Sequence, residues 1–232
     1  MIHQLIFAHP KPGMSEKDFQ DYWVNVHAVK YASQISQIKK YLIDTRIPYG
    51  PEPEDPRFSG VAEIWLNNEE EQLASLQSQE FLQGARLDEP TWAAFWRTVV
   101  LDTTTHVLLE GPPPSRDESL IKLFAMVKRK EGMPLQTFRN YSLQVHAPLD
   151  LQLPGLRRYY QCHVRDGFYT IGEALLDCVS ILWFDSVTAL ETALQSPANV
   201  ASAQDLPNFI EMKYAYTFIA QEHWIIGPEP RP

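Results

Sequence analysis

Gly13-Met14-Ser15-Glu16-Lys17-Asp18-Phe19-Gln20-Asp21-Tyr22-Trp23-Val24-Asn25-Val26-His27-Ala28 decides the fold, because the chain carries a second version of it. Gly132-Met133 is followed by Phe138, Tyr141 and Val145-His146-Ala147, each 119 positions after its counterpart. The match continues outward with small shifts. Ile38-Lys39-Lys40-Tyr41 and Leu156-Arg157-Arg158-Tyr159 lie 118 apart, as do Trp65 and Trp183, and Leu76-Gln77-Ser78 and Leu194-Gln195-Ser196. His106 and His223 are 117 apart, and Gly111-Pro112 and Gly227-Pro228 are 116 apart. Collinear matches with shifts of one residue at a time are what loop changes leave in a duplicated unit. The proline-rich run Gly111 to Glu118 separates the copies, so the expected domains are residues 1–114 and 119–232.

Within one copy the pattern alternates between strand and helix. Residues 2–9 read as a strand that ends at Pro10. Ser15 is an N-cap, with Asp18 three residues on. Phe19, Tyr22, Trp23 and Val26 stand at i, i+3, i+4 and i+7, one stripe of a helix, and His27 falls on the same stripe four residues after Trp23. Strands are expected at 39–46, 60–66 and 103–109, a proline-rich loop from Pro48 to Pro56, a second helix at 69–78 and helical turns near 90–97. The second copy repeats this, with strands near 120–129, 157–165, 177–184 and 214–226. Strand, helix, two strands, helix, strand is the ferredoxin-like order. In the third strand Ala62, Ile64 and Leu66 take one side, and Val61, Glu63 and Trp65 the other. Both sides are largely apolar, so both faces should be buried. The expected class is α+β: two ferredoxin-like βαββαβ repeats closing into one intramolecular α/β barrel, sheet against sheet, with the helices outside. A fused chain of this kind should be a monomer.

Composition narrows the function. The 232 residues are 44% hydrophobic and carry a net charge of −9. Nucleic acid and anionic membranes, which need a basic patch, are therefore excluded as expected partners. No apolar run reaches membrane-spanning length and the N-terminus does not read as a signal peptide. Cys162 and Cys178 have no metal spacing and read as reduced thiols of a cytoplasmic protein. No dinucleotide, phosphate-loop, nucleophile-elbow or haem-attachment pattern is found, so no cofactor is expected. The expected partner is a hydrophobic small-molecule substrate.

Phe19-x-x-Tyr22-Trp23-x-x-x-His27-Ala28 resembles the EthD motif, and Phe138-x-x-Tyr141-x-x-x-x-His146-Ala147-Pro148 resembles it again. The resemblance covers nearly the whole chain, once per half. It implies the dimeric α/β-barrel superfamily, whose members include lactone isomerases, polyketide dehydratases and cyclases. Related methylmuconolactone isomerases use a histidine at the position of His27 and a cysteine on the third strand. Ile64 and Leu182 stand near that cysteine position here, which argues against a cysteine-assisted isomerisation.

His27 and His146 are the leading catalytic candidates, since a histidine beside aromatics can take up and return protons near neutral pH. Glu63, if its face lies inside, needs a partner, and His27 is the expected one. His106 and His223, at the ends of the last strands, could reach a pocket mouth, and Glu63 and His106 are the further catalytic candidates, to steady a developing enolate or the imidazolium. Tyr22, Trp23, Tyr41, Trp65, Tyr141 and Tyr159 are the expected substrate-binding residues, with His223. Each also has a plainer reading, as a core aromatic, a core histidine or a solvated strand end. The first functional hypothesis is a cofactor-independent lyase or isomerase (dehydratase, cyclase or isomerase) acting on a small aromatic, polyketide-like or lactone substrate. The alternatives are a non-catalytic small-molecule binder serving an oxidation pathway, and a cofactor-free or haem-dependent oxygenase. Tyr22-Trp23 and Glu63 occur in the first copy, against Tyr141-Ser142 and Ile181 in the second, so the first copy is expected to hold the working pocket.

Overall fold

The computed structural model of the chain describes every residue except 52–54, 119 and 171. The middle of the expected proline-rich loop and the first residue of the expected second domain thus lie outside the described residues. The first copy runs β1 (Ile2–Ala8), α1 (Glu16–Tyr22), α2 (Ala28–Lys30), β2 (Lys40–Ile47), β3 (Gly60–Leu66), α3 (Glu69–Gln77), α4 (Arg86–Asp88) and β4 (Val99–Leu109). The second runs β5 (Ile121–Val127), α5 (Leu135–Tyr141), α6 (Ala147–Asp150), β6 (Arg158–Val164), β7 (Cys178–Phe184), α7 (Val187–Leu194), α8 (Pro197–Asp205) and β8 (Tyr216–Ile226). Hydrogen-bonded neighbours follow the cyclic order β1-β3-β2-β8-β5-β7-β6-β4, a closed barrel of ferredoxin-like repeats. No helix among the described residues is long and apolar enough to cross a membrane.

Two compact units are distinguished, and their limits differ from the repeat limits. The first holds residues 1–103, 114–118 and 220–232, and the second residues 104–113 and 119–219. The difference arises in β4 and β8. Each has 11 residues, whereas β1, β3, β5 and β7 have 7, so each long strand begins in one unit and ends in the other.

In the first unit, Ser15 caps α1 by accepting from the Asp18 N–H at 3.1 Å. Phe19 is fully buried, a contribution of about 1.5–3 kcal/mol for a side chain of this kind. Trp23 to His27 then form a wider π-turn, in which the Ala28 N–H bonds to the Trp23 carbonyl, and Trp23 and His27 are both buried. Ser142 to His146 repeat that turn. Such π-turns inside helices are frequent at functional sites.

The register assigns the faces of the sheet. β1 pairs antiparallel with β3, with Gln4 opposite Ile64 and Leu5 opposite Glu63. β2 also pairs with β3, placing Tyr41 opposite Ile64 and Leu42 opposite Glu63. Side chains alternate along a strand, so Gln4, Tyr41, Ala62 and Ile64 share one face, and His3, Leu42, Glu63 and Trp65 share the other. Both faces of β3 are buried except for a half-buried Trp65.

The segment after α3 holds more helix than its sequence pattern suggests. A π-turn at Phe81–Ala85 leads into α4, followed by 3₁₀ turns at Glu89–Thr91 and Phe95–Arg97. Its periodicity is hard to read because Gly84 interrupts it and because Leu82 and Leu87 are exposed. This segment carries the partner of His27.

Candidate active site

His27 Nδ1 donates to Asp88 Oδ2 at 2.8 Å, and the Tyr22 hydroxyl donates to Asp88 Oδ1 at 2.8 Å. Asp88 closes α4 and is buried. With Nδ1 committed as the donor, Nε2 carries the lone pair and is the nitrogen that can act as a base. His27 lies on the wall of a cavity of about 120 Å³ between the helices and the outer face of the sheet. The other walls include Trp23, Tyr41, Ile64, Glu89 and Trp92, so the lining is mostly apolar. An apolar cavity of about 150 Å³ takes up benzene, so the space here suits a single small ring.

The electrostatics favour a neutral base. Burial pushes the His27 pKa below its ordinary value of 6.5, and the hydrogen bond and charge of Asp88 only partly offset this. Burial holds the Tyr41 hydroxyl firmly protonated. Burial also raises the Glu89 carboxyl, against the pull of Arg86, whose Nη1 donates to Glu89 Oε2 at 2.9 Å.

Glu63 does not join this site. It faces the other side of the sheet, where His3 Nε2 stands 2.7 Å from Glu63 Oε2. Trp65 is there too, stacked on His3 with ring centroids 4.3 Å apart and on Trp224 at 6.1 Å. The expectation that Glu63 would pair with His27 fails on strand parity, because an odd-numbered position on β3 cannot reach the helix-covered face. The strand-end histidines lie elsewhere as well. His223 Nε2 is 2.8 Å from Thr45 Oγ1 in the first unit, while His106 packs against His163 in the second, centroids 4.7 Å apart. Neither lines the His27 cavity. Tyr22 bonds to Asp88, and Trp23 and Tyr41 line the cavity.

The second unit repeats the dyad and closes it. His146 Nδ1 is 3.0 Å from Asp205 Oδ2, and the Tyr141 hydroxyl donates to Asp205 Oδ1 at 2.6 Å. There, however, His146 Nε2 meets Asp150 Oδ2 at 3.4 Å. Asp150 also accepts from the Tyr159 and Ser202 hydroxyls at 2.8 and 2.6 Å. Gln161 bridges Tyr159 and Ser142, filling with polar side chains the place that Trp23 and Ile43 take in the first copy. Both nitrogens of His146 therefore face carboxylates. Asp88 and Asp205 escaped the sequence reading, although Asp88-Glu89-Pro90 and Asp205-Leu206-Pro207 repeat 117 positions apart, as His106 and His223 do.

His163 offers a pH test. Burial, helped by His106 and Arg139, lowers its pKa from 6.5 to about 3. The unfolded chain therefore binds this proton at a pH where the folded chain does not. Stability is expected to fall as the pH drops from about 6.5 towards 3. His163→Gln should flatten that part of a urea-midpoint profile measured against pH, and an unchanged slope would refute the assignment.

The family model of the EthD domain matches residues 11–95 and 130–213. No curated protein matches the chain. Among solved structures, an anthrone oxidase-like protein aligns over 96% of this chain and 92% of its own, at 13% identity and a TM-score of 0.67. A protein named as a monooxygenase, from Fusobacterium nucleatum subsp. nucleatum, aligns over 99% and 94% at 7% identity, with a TM-score of 0.62. An EthD family protein from Bacillus halodurans C-125 aligns over 43% of this chain and 95% of its own, at 25% identity and a TM-score of 0.37. At 13% and 7% identity the first two are likenesses of fold.

Proposed function

Because the chain belongs to the EthD domain family, we propose that its first copy is a proton-transfer enzyme acting on a small apolar ring compound that carries a carbonyl group. The observation that supports this reading is the buried His27–Asp88 pair, with His27 on the wall of an apolar cavity. His27 Nε2 takes a proton from the carbon next to the carbonyl, and the electron pair moves into the carbonyl to form an enolate. The protonated imidazole then returns that proton. Delivery to a different carbon isomerises the substrate. Delivery to a departing β-hydroxyl releases water and completes a dehydration. Asp88 keeps the ring in the required tautomer and stabilises the imidazolium, and the apolar walls keep water from quenching the enolate. A lyase or isomerase chemistry of this kind needs no group beyond those the chain supplies.

Proton exchange tests the proposal directly. The purified protein, in D₂O with a panel of cyclic ketones and unsaturated lactones, should catalyse loss of the α-proton NMR signals of at least one member. No exchange above the buffer rate across the panel would defeat the proposal. Oxygen consumption during exchange would instead point to a cofactor-free oxygenation, in which the enolate gives its electrons to O₂. The fold likeness to an anthrone oxidase-like protein is a reason to run the oxygen electrode in parallel. Saturable binding without exchange or oxygen uptake would identify a carrier.

A further inference from the structure

Trp92 is 3% exposed, yet its Nε1–H has no hydrogen-bond partner among the described residues. A buried donor without an acceptor is costly, and native proteins seldom leave one so. Trp92 lines the His27 cavity, and its ring centroid lies 4.6 Å from that of His27. The ring is fixed by Phe19, Tyr22 and Trp23, with centroids at 5.2, 6.4 and 5.2 Å. The second copy supplies an internal contrast. Phe209 stands 117 positions after Trp92 and packs in the same way on Phe138, Tyr141 and His146, at 5.8, 5.1 and 4.8 Å. The ring is thus kept in both copies, and the indole N–H stands in the first copy, on the wall of the cavity that His27 also lines.

We infer that the Trp92 indole N–H is a substrate-binding donor that receives the oxygen of a ring-borne carbonyl or phenol beside His27. This rests on the proton-transfer reading and deepens it by naming the ligand class, a small ring with an acidic or carbonyl oxygen. The oxygen gains charge when His27 removes the proton, so the hydrogen bond strengthens as the enolate forms. The neutral indole N–H cannot itself give up its proton, so it holds the oxygen without competing for the proton.

The test uses 4-nitrophenol, whose colour reports its ionisation, and 4-nitroanisole, which cannot ionise. The full chain should bind 4-nitrophenol and shift it towards the phenolate. Trp92→Phe should weaken that binding by about 10- to 100-fold, as expected for a hydrogen bond to a charged acceptor, and leave 4-nitroanisole binding nearly unchanged. Phenylalanine is the native occupant in the second copy, so this variant should fold. Of the 6 tryptophan indole resonances in a ¹H–¹⁵N spectrum, the one missing from Trp92→Phe should move downfield when the wild-type protein is loaded with 4-nitrophenol. Equal affinities of wild type and Trp92→Phe, an unmoved Trp92 resonance, or no binding to the wild type would each overturn the inference. His27→Gln separates the two readings. If it ionises bound 4-nitrophenol as well as the wild type does, the histidine reading fails, while the Trp92 comparison still decides the donor.

Discussion

His27→Gln is expected to lower turnover by about 10²–10⁴-fold, the usual cost of losing a positioned acid/base, with little change in ligand affinity. Glutamine keeps a hydrogen-bonding head but cannot shuttle a proton. His146→Gln should stay near the parent rate, because His146 faces Asp205 and Asp150 on its two nitrogens. The pH profile gives an independent check. The base must be neutral to act, and burial places the His27 pKa below 6.5. The rate should therefore rise along an acid limb centred below pH 6.5 and be flat at neutrality. Asp88→Asn removes the carboxylate that partly supports the imidazolium, so the limb should move to still lower pH. Asparagine also frees the ring to take the wrong tautomer, so the plateau should drop as well. A His27→Gln variant that folds and turns over at the parent rate would make His27 structural. Equal losses from His27→Gln and His146→Gln would mean two working sites.

Asp177→Asn is expected to lower stability by about 3–5 kcal/mol, because it takes the buried carboxylate out of a charge cluster and leaves Lys128 and Arg129 only the exposed Glu173. Asp177 is fully buried just before β7. It accepts from the Arg129 backbone N–H at 2.8 Å, from the Arg129 guanidinium, and from the Tyr169 hydroxyl at 2.6 Å. Lys128 Nζ stands 3.1 Å away. Burial alone would raise this carboxyl, but the Tyr169, Arg129 and Lys128 contacts outweigh it and the pKa falls below 3.8. A depressed carboxyl stabilises the fold above its unfolded pKa and loses that contribution as the pH falls through the folded value. Guanidinium unfolding at neutral pH should show the full loss in Asp177→Asn, and the difference from wild type should shrink at strongly acid pH. A loss under about 1 kcal/mol would mean that the cluster only balances its own desolvation.

The stretch Phe19-x-x-Tyr22-Trp23-x-x-x-His27-Ala28 and its echo at 138–147 were enough to derive the repeat, the succession of strands and helices along each copy, and the place of His27 on a helix stripe. These follow from spacing along the chain: an apolar stripe of a helix, alternation on a strand, and a shift of 119 that nothing but duplication explains. Glu63 marks where that reasoning stops. Alternation separates Glu63 from Ile64, but it does not say which face the helices cover, so His3 rather than His27 became its partner. Asp88 marks the same limit from the other side. It lies 61 residues from His27, at the end of the three-residue α4 between a π-turn and a 3₁₀ turn, too short a run to show a helical stripe, and only the fold of that segment back to Tyr22 and His27 brings the carboxylate to the ring. The second copy differs for the same kind of reason. His146 and Asp205 are present in the sequence as a faithful repeat, and what sets their site apart from the first is Asp150, one turn further on, whose carboxylate stands 3.4 Å from Nε2. Periodicity is a property of neighbours in the chain and can be read from it. Partnership across a cavity depends on which surfaces pack together, and that is set by the whole balance of burial in the folded molecule.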